Sequence, residues 1–187
     1  MNVLSLCSGI GGLDLGIRIV CPTARTICYV EREIAVAALL VARMADEGLD
    51  EAPVWSDLTT FDGTEWRGLV DCVCAGYPCQ PFSVSGLRGG ADDPRHLWPH
   101  VARIIRECSP SLVLIENVPG HISLGFQSVC EELSAMGYRI AAGVFSAVEV
   151  GASHERCRLY ALAHRDHEGL EGDGFRSGLT EPQHPEP

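Results

Sequence analysis

The chain contains no lysine. All 14 basic residues are arginine, set against 25 acids, for a formal net charge of −11 at pH 7. Binding to a polyphosphate rests largely on Lys and Arg contacts, so this balance argues against a chain that grips nucleic acid unaided. Any phosphate contact would come from guanidinium groups. From His164 onward there are six acids and two arginines, which leaves residues 1–163 with 19 acids, 12 arginines and a balance of −7. The deficit softens but remains. Long apolar runs are also missing: none approaches the roughly 20 residues of a membrane span. The apolar start carries Asp14 and several glycines with no leading basic residue, unlike a signal peptide. The nine cysteines form no paired C-x-x-C spacing, so neither a disulfide framework nor a metal site is suggested, and a reducing, cytoplasmic setting without membrane contact is expected. Aromatic residues are scarce at 6%, yet 46% of the 187 residues are apolar, enough for the core of one domain. No internal repeat is visible.

What is present alternates between short apolar runs and amphipathic stretches. Residues 3–7 read as a strand, ended by Ser8-Gly9-Ile10-Gly11-Gly12, after which Leu13, Leu15, Ile17 and Val20 suit a helix that stops before Pro22. A glycine turn between strand and helix lets backbone approach a ligand closely and presents helix N-terminal amides to it, although tight turns need glycine for other reasons too. The dinucleotide fingerprint is incomplete, because G-x-G-x-x-G requires glycine where Asp14 stands. A second strand, 26–30, ends in Glu31, placed where an acid would reach a cofactor ribose, or would simply sit at a helix N-terminus. A helix over 33–47 and a short strand near 53–56 lead into Asp57 and Leu58. The run 69–74 reads as a buried strand.

That strand delivers Ala75-Gly76-Tyr77-Pro78-Cys79-Gln80-Pro81-Phe82-Ser83. A cysteine between two near prolines, at a strand end, lies on a stiff loop where α/β folds place their chemistry. Cys79 is the candidate nucleophile, against the plain alternative that free cysteines are mostly small buried hydrophobes. The glycine-rich segment 85–94 reads as an active-site loop or a surface connection, with Arg88 a candidate phosphate contact. After a helix over 97–108, residues 111–115 form the most strand-like run, with a composition suited to burial on both faces. It delivers Glu116-Asn117-Val118-Pro119-Gly120. A helix over 126–136 and a strand over 138–146 follow. Then His154-Glu155-Arg156-Cys157-Arg158 enters a last strand, 159–163, in which Arg156 and Arg158 would share a face. Residues 164–187 are polar and read as a disordered tail beside a single domain over 1–163.

The expected architecture is therefore α/β, a Rossmann-like, mostly parallel sheet with helices on both faces and the candidate residues at one edge. Four ordered motifs, Leu6-Cys7-Ser8-Gly9-Ile10-Gly11-Gly12, Gly76 through Ser83, Glu116-Asn117-Val118 and His154-x-Arg156-x-Arg158, give a specific resemblance to the cytosine carbon-5 DNA methyltransferases over about residues 3–163. The resemblance implies S-adenosylmethionine held by Ser8, Gly9, Ile10, Gly11 and Gly12, with Glu31 on the ribose, Asp57 and Leu58 near the adenine, and Pro78 beside them. It also implies duplex DNA as partner, with a cytosine flipped out of the stack. Cys79 would add to carbon 6 of that ring, Glu116 would hydrogen-bond N3, and Arg156 and Arg158 would orient the base or a phosphate. The family usually has phenylalanine where Cys7 stands. Its members normally continue with a target-recognition domain, so a separate recognition subunit is an expected partner. Two other readings are a cofactor-binding or decoy module, and a methyltransferase acting on cytosine in RNA.

Overall fold

The computed structural model describes residues 1–78 and 97–165. Seven strands and four α-helices follow one another as β1 (Asn2–Leu6), α1 (Gly12–Val20), β2 (Arg25–Val30), α2 (Ile34–Ala45), β3 (Val54–Trp55), β4 (Cys72–Ala75), α3 (Trp98–Cys108), β5 (Leu112–Asn117), α4 (Phe126–Ala135), β6 (Tyr138–Ser146) and β7 (Cys157–Arg165). They form a single sheet in the order β3-β2-β1-β4-β5-β7-β6. β1 pairs in parallel with β2 and β4, β2 with β3, and β4 with β5, whereas β7 runs antiparallel to both β5 and β6. The chain leaves β1 toward one side of the sheet and returns to the other side at β4. The crevice at that reversal, outside the strands' carboxyl ends, is where folds of this kind bind ligands.

Alternation along the strands divides the core in two. Leu4, Leu6, Val73, Ala75, Val113 and Ile115 face α3 and α4, packing on Val101, Ile104, Ile105, Val129 and Leu133. Val3, Cys72 and Cys74 face the opposite way, onto Leu13 and Ile17 of α1. Further along that second side, Tyr29 packs on Leu40 of α2. A register shift between Val3 and Leu4 leaves Ile27 as an extra residue in β2. Such a bulge breaks the strict alternation, so Thr26 and Tyr29 face the α1 and α2 side while Ile27 and Cys28 face α3.

Two expectations from sequence shift. The run 69–74 becomes a strand only at Cys72, because the amides of Leu69 and Val70 donate to the Trp66 carbonyl in a turn and are not free for the ladder. β5 is fully buried on one face only: Val113 and Ile115 are covered, but Leu112 and Leu114 are half-buried. On that less covered side Leu162, paired with Leu114, is 48% exposed, and Phe145, paired with Arg158, is 57% exposed. β7 extends beyond the expected span, from Cys157 to Arg165. Residues 79–96 and 166–187, with Cys79, the glycine-rich segment and the tail, lie outside the described residues. Among the described residues no helix is long and apolar enough to cross a membrane.

The core assignment is testable by urea unfolding. Ile105→Ala, at a fully buried position in α3, should cost about 2–5 kcal/mol, and Ile19→Ala, at an exposed position on α1, should stay within about 0.5 kcal/mol.

Candidate active site

One wall of the site is the glycine turn. After Leu6 the backbone enters the left-handed region at Cys7 (φ 50°), Gly9 (φ 56°) and Gly11 (φ 77°). Glycine adopts that conformation freely, and a side chain does so at a cost. The turn is braced from β2. The Val30 amide donates to Ser8 Oγ (3.2 Å), Ser8 Oγ donates to the Ser5 carbonyl (3.0 Å), and the Gly9 amide donates to Glu31 Oε2 (2.8 Å). The other oxygen of Glu31 accepts the Glu33 amide at 2.8 Å, at the start of α2. Glu31 thus ties the glycine turn to a helix start, which is the second of its two sequence readings. The three glycines differ in role. A Cβ on Gly11 would lie 2.5 Å from Leu49 Cδ1, whereas one on Gly9 or Gly12 would meet nothing within 4 Å. Gly11 packs inward, and Gly9 and Gly12 leave bare backbone facing open space at the start of α1.

The opposite wall comes from β5 and β7. Their antiparallel register sets Glu116 against Tyr160 and Asn117 against Leu159, so the start of β7 reaches the same edge as the end of β5. There Arg158 Nε donates to Glu116 Oε1 at 2.8 Å, in a pair with roughly a quarter of each side chain exposed. Such an ion pair is partly shielded from solvent and holds both groups in a fixed orientation. Arg156 precedes β7 rather than lying within it, so the two arginines do not share a strand face as the sequence alone suggested; its carbonyl accepts the Ala147 amide (3.2 Å). Both arginines nevertheless line one cavity of about 590 Å³ with Ser8, Gly9, Ile10, Gly12, Gly76 and Glu116. That volume falls within the range of small-molecule sites, about 300–1,000 Å³. Gly76 is the floor between the walls: a Cβ there would come within 3.3 Å of Glu116 Oε2.

The remaining sequence candidates, Asp57, Leu58 and Pro78, are not among the residues that line this cavity. Asp57 accepts the Thr59 amide (2.9 Å) and hydroxyl (2.8 Å), and these hydrogen bonds hold its carboxyl below the usual range. It sits past β3, on the far side of β2 from Glu116. The Leu58 side chain is buried in the core, and its carbonyl accepts from Arg103 (3.1 Å). Pro78 is exposed at the last described residue before Cys79, which itself lies outside the described residues. The Cys7 thiol lines the cavity and is pushed up to about 12, first by burial and then by the Glu31 carboxylate.

Sequence reasoning missed a polar link between the two loops. Asn117 Nδ2 donates to the Tyr77 carbonyl (3.1 Å), and the Tyr77 hydroxyl lies 3.1 Å from His121 Nε2, both contacts being buried. The Tyr77 ring also packs on Trp98, the first residue of α3. Tyr77 stands in sequence as one residue of the Gly76 to Ser83 motif, and nothing local marks its contact with a histidine 44 residues away.

Two outcomes follow from this geometry. Gly11→Ala should destabilise the fold clearly more than Gly9→Ala in urea unfolding, since both residues have positive φ but only Gly11 meets a neighbour. The strain common to both is about 1–2 kcal/mol. In thiol alkylation across a pH series, Cys21, half-buried and lowered by its hydrogen bond with Thr23, should react at lower pH than Cys7, because the thiolate is the reactive form.

A family model described as C-5 cytosine-specific DNA methylase matches residues 1–187. Type II methyltransferase M.NgoMIV of Neisseria gonorrhoeae is 29% identical over 86% of this chain and 50% of its own, and M.HgiCII of Herpetosiphon aurantiacus is 30% identical over 85% and 36%. The chain thus spans half or less of the length of these curated relatives. The S. pombe Dnmt2 methyltransferase structure superposes with a TM-score of 0.73 at 22% identity, covering 90% of this chain and 52% of that one. The match to the family model runs the full length of the sequence, and the chain belongs to the C-5 cytosine-specific DNA methylase family.

Proposed function

We propose that this chain carries the cofactor site and catalytic groups of a methyltransferase that modifies carbon 5 of cytosine in DNA. The observation that carries the reading is the Glu116–Arg158 pair facing the open backbone of Gly9 and Gly12 across one cavity. The residues present suit S-adenosylmethionine. Bare glycine backbone and the start of α1 admit close approach of its methionine portion. Glu31 lies beside the turn for the ribose hydroxyls, and Asp57 and the Leu58 backbone follow β3 on the adenine side. When bound, the cofactor supplies an electrophilic methyl group on a sulfonium centre.

The protein's part is to make carbon 5 of the cytosine nucleophilic. Cys79 follows Pro78 in the sequence, and its thiolate adds to carbon 6, which requires a base turned out of the stack. Glu116 hydrogen-bonds ring N3 through a shared proton, where negative charge develops. Arg158 fixes the direction of the Glu116 carboxyl through Oε1, leaving Oε2 toward Gly76 and the cavity. Arg156, exposed at the rim, is placed for the base oxygen or a phosphate.

A separate recognition subunit fits two further observations. The net charge of −11 leaves the chain poor in phosphate contacts, and the sheet face bearing Leu162 and Phe145 is incompletely covered. The direct test is covalent trapping with S-adenosylmethionine and duplex DNA carrying 5-fluorocytosine in many sequence contexts, read by protein mass. Fluorine blocks the closing elimination, so even slow attack accumulates. We expect an adduct that Cys79→Ser abolishes and Glu116→Gln slows by about 10²-fold or more, with cofactor affinity little changed in both. An adduct that persists in Cys79→Ser would remove Cys79 from its role. Cofactor binding with no adduct, even with a recognition subunit added, would favour the decoy reading.

A further inference from the structure

Asp14, in the first turn of α1, is 5% exposed and does not line the cavity. Its carboxylate joins two strands. Oδ2 accepts the Ser5 hydroxyl from β1 at 2.9 Å, and Oδ1 accepts the Thr26 hydroxyl from β2 at 2.9 Å. The Cys74 thiol of β4 lies 4.0 Å from Oδ1. Burial pushes the carboxyl up, and the two hydroxyls pull it part of the way back.

Burying a carboxylate among neutral hydroxyls costs several kcal/mol unless its hydrogen bonds are well made, and apolar residues of similar volume often pack at least as stably. Fold stability is therefore a weak reason for this group. Its placement in the chain suggests a better one. Ser5 and Asp14 flank the segment 6–13, which contains the cavity-facing residues Cys7, Ser8, Gly9, Ile10, Gly12 and Leu13. The same segment holds three left-handed residues, Cys7, Gly9 and Gly11. A loop with that much unusual backbone keeps one shape only if its ends are fixed.

We propose that Asp14 is a positioning residue for the cofactor turn: by binding Ser5 and Thr26 together, it closes the 6–13 loop and sets the direction in which the Gly9–Gly12 backbone faces the cavity. This rests on the cofactor reading above for its consequence in binding, but the closure of the loop is a property of the free chain. Amide hydrogen exchange without ligand therefore tests it, with the amides of α3 as internal reference, followed by calorimetric titration with S-adenosylmethionine. Asp14→Ala should speed exchange at Gly9 and Gly11 by about tenfold or more beyond any change in α3, and should weaken cofactor affinity by about 10- to 100-fold. Asp14→Asn serves the same comparison if the alanine variant does not fold. The triple variant Ser5→Ala, Asp14→Leu, Thr26→Val separates positioning from stability: its thermal midpoint should recover toward wild type while turn protection and affinity do not. Recovery of all three together, or turn exchange in Asp14→Ala that only tracks α3, would overturn the proposal. Loosening of the turn in a chain whose wild type binds no S-adenosylmethionine would support the positioning role and overturn the cofactor reading instead.

Discussion

The site depends on the parallel pairing of β1 with both of its neighbours. Leu6 pairs with Val30 on one side and with Ala75 on the other, and Ala75 pairs in turn with Ile115. β1, β2 and β4 consequently end level, and β5 runs two residues further. The glycine turn, Glu31 and Gly76-Tyr77-Pro78 follow the first three, and Glu116-Asn117, the last two residues of β5, reach the same edge. Parallel strands require long crossovers, and here α1, α2 and α3 supply three of the helices that bury the two sheet faces. The core that holds the sheet together is thereby the device that aligns the chemistry.

β7 contributes what a purely parallel sheet would not. A strand parallel to β5 would bring its carboxyl end to this edge, whereas antiparallel β7 brings its start, and so Arg158 reaches Glu116. The open sheet face is the counterpart of that arrangement. Leu114, Leu162 and Phe145 share the side on which α1 covers only the central strands. The cavity opens on this side too, with Phe145 and Tyr160 among its lining residues. A partner that covered this face would lie beside the cavity, and a basic one would set positive surface against an acidic, lysine-free chain.

Much of this was legible in sequence because it is local. Glycines between a strand and an amphipathic helix can be read from periodicity and backbone chemistry, and so can an acid at the end of the Leu112–Asn117 strand. The arginine pair was legible as a motif but not as geometry, because the boundary of β7 excludes Arg156. Asp14 was visible as the residue that spoiled a glycine fingerprint; its bonds join Ser5 of β1 and Thr26 of β2, and no local pattern announces that these three residues meet. The Tyr77–His121 contact joins loops distant in sequence. The apolar run before Cys72 misled because hydrophobicity does not reveal that its first amides are already used in a turn.

The central claim is that the level strand ends form one ligand site spanning the glycine turn and the Glu116–Arg158 pair. Backbone amide NMR during titration with S-adenosylhomocysteine tests it most directly, because this demethylated form of the cofactor has no methyl group to transfer and needs no DNA. The account predicts shift changes concentrated at Ser8 to Leu13, Gly76, Glu116 and Arg158 to Tyr160, with α3 and α4 unmoved. Changes centred on α3 and α4, or none at saturating ligand, would contradict it.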